Sequence, residues 1–66
     1  MKVFVGGKTM EMEEGTILRD FMESYGFTAK QAIVILNDVV VHGNVWPETV
    51  LSEGDYLELV SLVGGG

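Results

Sequence analysis

The sequence predicts an α+β domain in which one amphipathic helix packs across one face of a mixed β-sheet. Two observations lead to this class. Apolar and polar residues alternate on both sides of Gly6 and Gly7, which is typical of a β-hairpin. Residues 17–25 form an amphipathic stretch of helical period, and a single helix of this kind can bury its apolar stripe only against a sheet.

The first hairpin and the helix follow from local residue types. Val3 and Val5 alternate with their neighbours before the turn, and "TMEME" alternates after it. Gly15 then ends the hairpin, and Thr16 is predicted to be the helix N-cap because its hydroxyl can accept a backbone N–H of the first turn. The apolar side chains of the helix share one stripe, and Gly26 is predicted to end the helix in the left-handed conformation.

A second hairpin and a final strand are predicted from the rest of the chain. Thr28 and Gln31 have the spacing of a capping box, which predicts one more helical turn before this hairpin. "IVIL" predicts a strand, "ND" a turn and "VVV" a short return strand. Trp46 followed by Pro47 predicts a loop, since proline lacks the donor that a central strand needs. After the turn "SEGD", residues 56–63 predict the longest strand.

This order of elements predicts the β-grasp arrangement, which is the architecture of ubiquitin. The last strand is expected beside the first and parallel to it, because the helix then lies in a right-handed crossover. We expect residues 1–63 to form this domain and residues 64–66 to form a flexible glycine tail.

One face of the predicted sheet has no helix to cover it. If Leu57 and Leu59 face the helix, Val60 and Leu62 face the other side, together with Phe4 of the first strand. Apolar residues on the open face of so small a domain favour a docking patch for a partner. The alternative is the scatter of apolar side chains that any protein surface carries.

Composition and charge exclude several classes of function. A chain of 66 residues forms one domain, and the absence of cysteine excludes disulfides and thiolate metal sites and fits a reducing cytoplasm. The net charge of −6 makes nucleic acid an unfavourable partner. The first residues resemble neither a signal peptide nor a membrane span. We therefore expect a soluble cytoplasmic protein without a membrane partner.

An internal active site is not expected. His42, the single histidine, lies beside a Gly-Asn turn and is predicted to be a solvated loop residue. The carboxylates alternate with apolar residues or crowd a turn, which is typical of a solvated face, and no spacing matches a calcium loop or a zinc site. We expect neither an enzyme nor a bound cofactor or metal.

The glycine terminus is the remaining candidate for chemistry. An α-carboxylate on Gly66 is ionised and a poor electrophile, so that it needs activation. An enzyme holding ATP could join it to AMP, and a persulfide sulfur or an amine could attack the resulting anhydride. Gly64 and Gly65 have no Cβ atoms and could pass through a narrow channel into such an enzyme. The alternative is a frayed end without function.

The chain resembles the ubiquitin-like sulfur carriers, and within them the ThiS family of thiamine thiazole synthesis. The likeness spans the whole chain and rests on "ILNDVVV", "VWPETVLSEGDYLELV" and the terminal "VGGG". Asp38, where glycine is frequent, and Pro47 after the tryptophan depart from the family pattern, and both suit a turn.

The resemblance implies a protein cosubstrate and not an enzyme. Gly66 would be adenylated by a ThiF-like activating enzyme that uses ATP. It would then become a thiocarboxylate with sulfur from a donor such as a cysteine desulfurase, and thiazole synthase would receive the sulfur.

Two alternative functions and the role of one residue stay open on the sequence alone. The small subunit of molybdopterin synthase shares the fold, the tail and the activation but usually has a longer chain. A protein modifier or adaptor would use its tail for isopeptide attachment or its open face for binding only. Trp46 either contacts a partner enzyme or, as we favour, fixes its loop to the rim of the core.

Overall fold

The computed structural model describes residues 1–61. Five strands, one α-helix and one 3-10 helix make up this part of the chain. In order these are β1 Lys2–Val5, β2 Lys8–Glu11, α1 Leu18–Ser24, β3 Ala32–Leu36, β4 Val39–Val41, the 3-10 helix Gly43–Glu48 and β5 Tyr56–Ser61.

The strands form one mixed sheet in the order β2-β1-β5-β3-β4. β1 and β5 are parallel neighbours, with Phe4 beside Tyr56 and Val5 beside Leu57, and the other neighbouring strands are antiparallel. The predicted fold class, the order of elements and the parallel pairing of the first and last strands are confirmed. β5 was predicted to reach residue 63, and both that end and the predicted domain boundary lie outside the described residues.

Both hairpins turn through left-handed backbone conformations. Gly6 and Gly7 have φ of 58° and 86°, and Asn37 and Asp38 have φ of 50° and 69°. Two consecutive residues with positive φ are the mark of a type I′ turn, whose twist matches that of paired strands. The predicted turns are confirmed, and the second one uses aspartate where glycine would adopt the conformation more easily.

The start of the helix differs from the prediction. The N-cap position is Ile17, and the Thr16 hydroxyl donates a hydrogen bond back to the Glu13 carbonyl oxygen instead of accepting one from the helix. Ile17 forms an isolated antiparallel bridge with Val50, and the Leu18 N–H donates to the Thr49 carbonyl oxygen at 2.8 Å. This pairing holds the chain extended up to Ile17, so that the helix begins one residue later than a Thr16 cap would allow.

The end of the helix is as predicted. Gly26 has a φ of 81° and follows the C-cap residue Tyr25. The Phe27 N–H donates to the Met22 carbonyl oxygen at 3.0 Å, and the Gly26 N–H donates to the Glu23 carbonyl oxygen at 2.9 Å. These two bonds form a Schellman motif, which satisfies carbonyl groups that the helix leaves free.

Two loop predictions are wrong in their local conformation. Thr28 and Gln31 form a turn and not another helical turn, although the Gln31 side chain does accept the Thr28 N–H at 3.0 Å, as in half of a capping box. The predicted loop around Trp46 and Pro47 is the 3-10 helix. Proline fits there because its fixed φ is compatible with the short helix.

The core lies between α1, the 3-10 helix and one face of the sheet. The fully buried members come from every layer, so that a single cluster joins helix, loop and sheet. The buried residues are Val3, Leu18, Phe21, Met22, Ala32, Val34, Trp46, Leu51 and Leu57.

Candidate functional site

The sheet face opposite α1 is apolar over several neighbouring strands. Because side chains alternate along a strand, the residues between the buried ones point away from the helix. Register places these residues side by side, with Ile33 opposite Val60 and Ile35 opposite Val40. We call this surface the open-face patch, and it consists of Phe4, Ile33, Ile35, Val40, Tyr56 and Val60.

Two predicted site residues lie in this patch. Phe4 is 39% exposed and Val60 is 46% exposed, while Leu57 and Leu59 face the core as predicted. The Phe4 ring stacks on Tyr56, with 6.5 Å between the ring centroids. The structure therefore confirms the position of Phe4 and Val60 on the open face, and their contact with a partner stays a prediction.

Four patch residues were not predicted from the sequence. Ile33 and Ile35 come from β3, Val40 comes from β4, and Tyr56 opens β5 beside Phe4. The signal was available in "IVIL", where both faces of the strand are apolar although only one helix exists to cover them. A strand that is apolar on both faces and covered on one leaves an apolar surface.

The other predicted site residues, Leu62, Gly64, Gly65 and Gly66, lie outside the described residues. The last described residue, Ser61, is opposite Ala32 on β3 and directly follows the patch residue Val60. β5 is the middle strand of the sheet. A partner that covers the open-face patch therefore also approaches the point where the chain continues towards the glycines.

Trp46 has a structural role in the described chain. Its side chain is buried, with 3% exposure, and its Nε1 donates a hydrogen bond to the Val41 carbonyl oxygen at 3.0 Å. The indole thus fastens the 3-10 helix to β4, as the structural interpretation expected. His42 is exposed at the N-cap of the same helix, in agreement with its prediction as a solvated loop residue.

Within residues 1–61, no three His, Asp or Glu side chains are grouped so that they could hold a metal ion. Over the same residues, no helix is long and apolar enough to cross a membrane.

The architecture defines a β-grasp domain whose central strand leads towards a glycine terminus. The model of the ThiS family matches residues 2–66, and the chain belongs to this family.

Relatives and solved structures agree with this assignment. The chain is 33% identical over 64 residues to the sulfur carrier protein ThiS of Thermus thermophilus, covering 97% of this chain and 98% of that protein. It is also 33% identical over 66 residues to a thiazole synthase of Magnetococcus marinus. That alignment covers 100% of this chain but only 20% of the thiazole synthase.

Two structures of the thiamine biosynthesis protein ThiS from Geobacter metallireducens have the same fold. The crystal structure superposes on this chain with a TM-score of 0.83 at 25% identity, and the alignment covers 100% of both chains. The solution structure gives a TM-score of 0.77 at 25% identity, covering 100% of this chain and 88% of that one.

Proposed function

We propose that this protein is a sulfur carrier of thiamine biosynthesis and that Gly66 carries the sulfur. The observation that supports this function best is the match to the ThiS family over residues 2–66, which includes the glycines. The likeness to a ThiS sulfur carrier along nearly the whole of both chains supports the same role. The chain is then a cosubstrate for other enzymes.

The proposed chemistry takes place at the carboxylate of Gly66. A partner adenylyltransferase of the ThiF type binds ATP, and the carboxylate attacks the α-phosphate, forming an acyl-adenylate and releasing pyrophosphate. Sulfide then attacks the Gly66 carbonyl carbon and displaces AMP, which leaves a thiocarboxylate. Gly65 and Gly64 add no Cβ atoms next to the reacting carbonyl, so that a narrow channel can admit them.

The open-face patch would hold the carrier on its enzymes. Covering apolar surface that is exposed in the free domain is favourable and stabilises the complex with a partner. Phe4 and Val60 supply such surface, and we propose that Leu62 extends it towards the glycines. Thiazole synthase is the proposed acceptor of the sulfur, supported by the similarity to part of a thiazole synthase. The alternative sulfur donor is a cysteine desulfurase, whose persulfide would displace AMP to form an acyl disulfide that a thiol then cleaves, leaving the thiocarboxylate and a disulfide.

Intact-protein mass spectrometry tests this function. The chain is incubated with ATP, a ThiF-type enzyme and inorganic sulfide, next to a matched chain that lacks Gly65 and Gly66. We expect a mass gain equal to the difference between sulfur and oxygen, in the complete chain only. No gain with an enzyme that is competent on another ThiS protein would contradict the proposal.

The variant Gly65→Ala tests the channel. Its methyl group would crowd the passage of the tail, so that adenylate formation slows while thermal unfolding of the domain stays unchanged. Pyrophosphate release measures the rate. The matched control is Gly7→Ala, at a hairpin turn where an added Cβ has open space around it, which is expected to affect stability and not the rate in the folded fraction. Equal rates for Gly65→Ala and the unchanged chain would remove the channel argument.

A further inference from the structure

The edge of the sheet at β2 has free backbone groups. No other described strand pairs with β2 on the side away from β1. Met1 and Met12 exchange two hydrogen bonds, of 2.7 and 2.9 Å, so the next opposed pair, Lys2 and Glu11, belongs to the non-bonded class of an antiparallel ladder. The same alternation places the N–H and C=O groups of Thr9 and Glu11 on the outer side of β2.

Hydrogen bonds of β1 support this assignment. The Lys2 N–H donates to the Glu53 carboxylate at 2.9 Å, and the Phe4 N–H donates to the Asp55 carbonyl oxygen at 2.8 Å. Both groups therefore point away from β2. Their opposed residues on β2, Glu11 and Thr9, point their own backbone groups away from β1.

An apolar groove runs along the same edge. It has a volume of about 330 Å³ and lies between β2 and α1, on the helix side of the sheet. Met10 and Met12 form one wall, and Phe21 and Tyr25 form the other. Tyr25 is 53% exposed, its ring lies 5.1 Å from that of Phe21 between centroids, and its hydroxyl lies 3.7 Å from the Met10 sulfur.

The surroundings of the groove are acidic. Glu11 and Asp20 are among the residues that line it, but the Asp20 carboxylate pairs with Arg19 at 3.2 Å and that of Glu11 lies 3.9 Å from the N-terminal ammonium group. The excess of negative charge at this edge therefore comes mainly from the next two carboxylates in the chain. The exposed Glu13 and Glu14 follow Met12 in the turn that leads from β2 to α1. The whole chain has a net charge of −6. A cationic ligand is therefore favoured at this edge.

We propose that the β2 edge binds an extended segment of a partner protein as a sixth strand, with apolar side chains in the groove and Lys or Arg on its flanks. The outward N–H and C=O groups of Thr9 and Glu11 would bond to the backbone of this segment. Every second side chain of an added strand would face the helix side and enter the groove, where the flexible methionines adapt to its shape. This inference does not depend on sulfur chemistry at Gly66.

A second copy of the chain fits this edge less well. Two copies of the chain would each bring a net charge of −6 to the interface, and like charges weaken association. The added strand would lie beside β2 in the plane of the sheet, with the side chains that enter the groove on the helix side, whereas the open-face patch lies on the opposite face and begins at β1. One partner can therefore hold the β2 edge while another covers the patch.

Amide NMR with synthetic peptides tests the proposal. The probe is a peptide of alternating valine and threonine with lysines at both ends, and its control has glutamates at the ends instead. We expect the lysine peptide to shift the amide signals of Thr9 and Glu11 and to slow their hydrogen exchange at least about tenfold, because these N–H groups become bonded in the complex.

The variant Tyr25→Lys provides the structural control. It places a cation in the groove wall, so that the affinity for the lysine peptide falls at least about tenfold, while Tyr56→Lys on the opposite face leaves it unchanged. If Tyr25→Lys does not fold, Ser24→Lys makes the same test, since Ser24 is exposed and lines the groove.

Several results would overturn the proposal. The proposal fails if millimolar lysine peptide shifts no amide signals, or if the glutamate peptide binds as tightly as the lysine peptide. It also fails if the shifted amide signals centre on Phe4 and Val60. Shifts at Thr9 and Glu11 on dilution of the protein alone would show that a second copy occupies the edge, which also contradicts a basic partner.

Discussion

The two faces of the sheet are formed by the same strands but differ in how far their side chains are buried. On β5, Leu57 is fully buried beneath the helix layer, whereas Tyr56 and Val60 are exposed on the open face. The difference lies in what covers each face, since the residues on both are apolar. Burial on the helix side stabilises the fold, while the open side retains apolar surface whose free energy of burial is available to a partner.

We therefore expect stability and binding to depend on alternate residues of one strand. A substitution on the covered face should change the free energy of unfolding, and one on the open face should change affinity. β5 also lies in the centre of the sheet, so both kinds of residue are held rigidly by strands on either side.

The largest expected effect follows from Leu57→Ala. Leu57 has no exposed surface, so its truncation leaves a cavity in a small core and lowers the free energy of unfolding by about 2–5 kcal/mol. Val60→Ala on the same strand should lower it by less than about 1 kcal/mol. Urea denaturation measures both. Similar losses for the two variants would show that the open face contributes to folding as much as the covered one.

The second prediction concerns Gly43, the first residue of the 3-10 helix. A Cβ on Gly43 would clash with the Ala29 Cβ, and Gly43 has no left-handed φ, so that Gly43→Ala acts through overpacking alone. We expect a loss of about 1–3 kcal/mol in the free energy of unfolding.

Its control is the double variant with Ala29→Gly, which removes the methyl group that the new one meets. Thermal and urea unfolding of the single and double variants should show partial recovery in the double variant. Without any recovery, the close contact between the 3-10 helix and Ala29 would not be the cause of the loss.

The third prediction concerns the open face. Val60→Asp places a charge within the patch, and we expect the affinity for the activating enzyme to fall about tenfold, since an apolar contact of about 1.5 kcal/mol is lost. Val50→Asp is the matched control, because Val50 is an exposed valine outside the patch. Calorimetric titration compares the two, after unfolding curves have shown that both variants fold. Equal affinities of the two variants for the activating enzyme would show that Val60 does not contribute to this contact.

Local patterns predicted most of the fold. The positive φ values of the two hairpin turns and the left-handed Gly26 depend on neighbouring residues, and the sequence shows them directly. The error at Thr16 had a distant cause, because Val50 pairs with Ile17 and keeps the chain extended at the site of the expected cap. Propensity at a helix end is weak compared with such a tertiary bond.

The candidate site could be predicted only in part. Alternation along β5 was enough for Val60, and alternation along β1 was enough for Phe4. The patch as a surface depends on register, since Ile33 meets Val60 only when β3 and β5 pair as they do. Register between strands distant in the chain is a property of the whole sheet, so that no local window reveals it.

The smallest expected effect is at the turn that joins β3 and β4. Asp38 adopts a φ of 69°, a conformation that costs an aspartate more than a glycine, while glycine loses more entropy on folding. The balance predicts that Asp38→Gly raises the free energy of unfolding by about 0.5 kcal/mol. Asp38→Asn separates the causes, because it removes the same negative charge and keeps a side chain at the left-handed position. If urea denaturation shows Asp38→Asn to be as stable as Asp38→Gly, the gain comes from charge, and the turn itself is not strained.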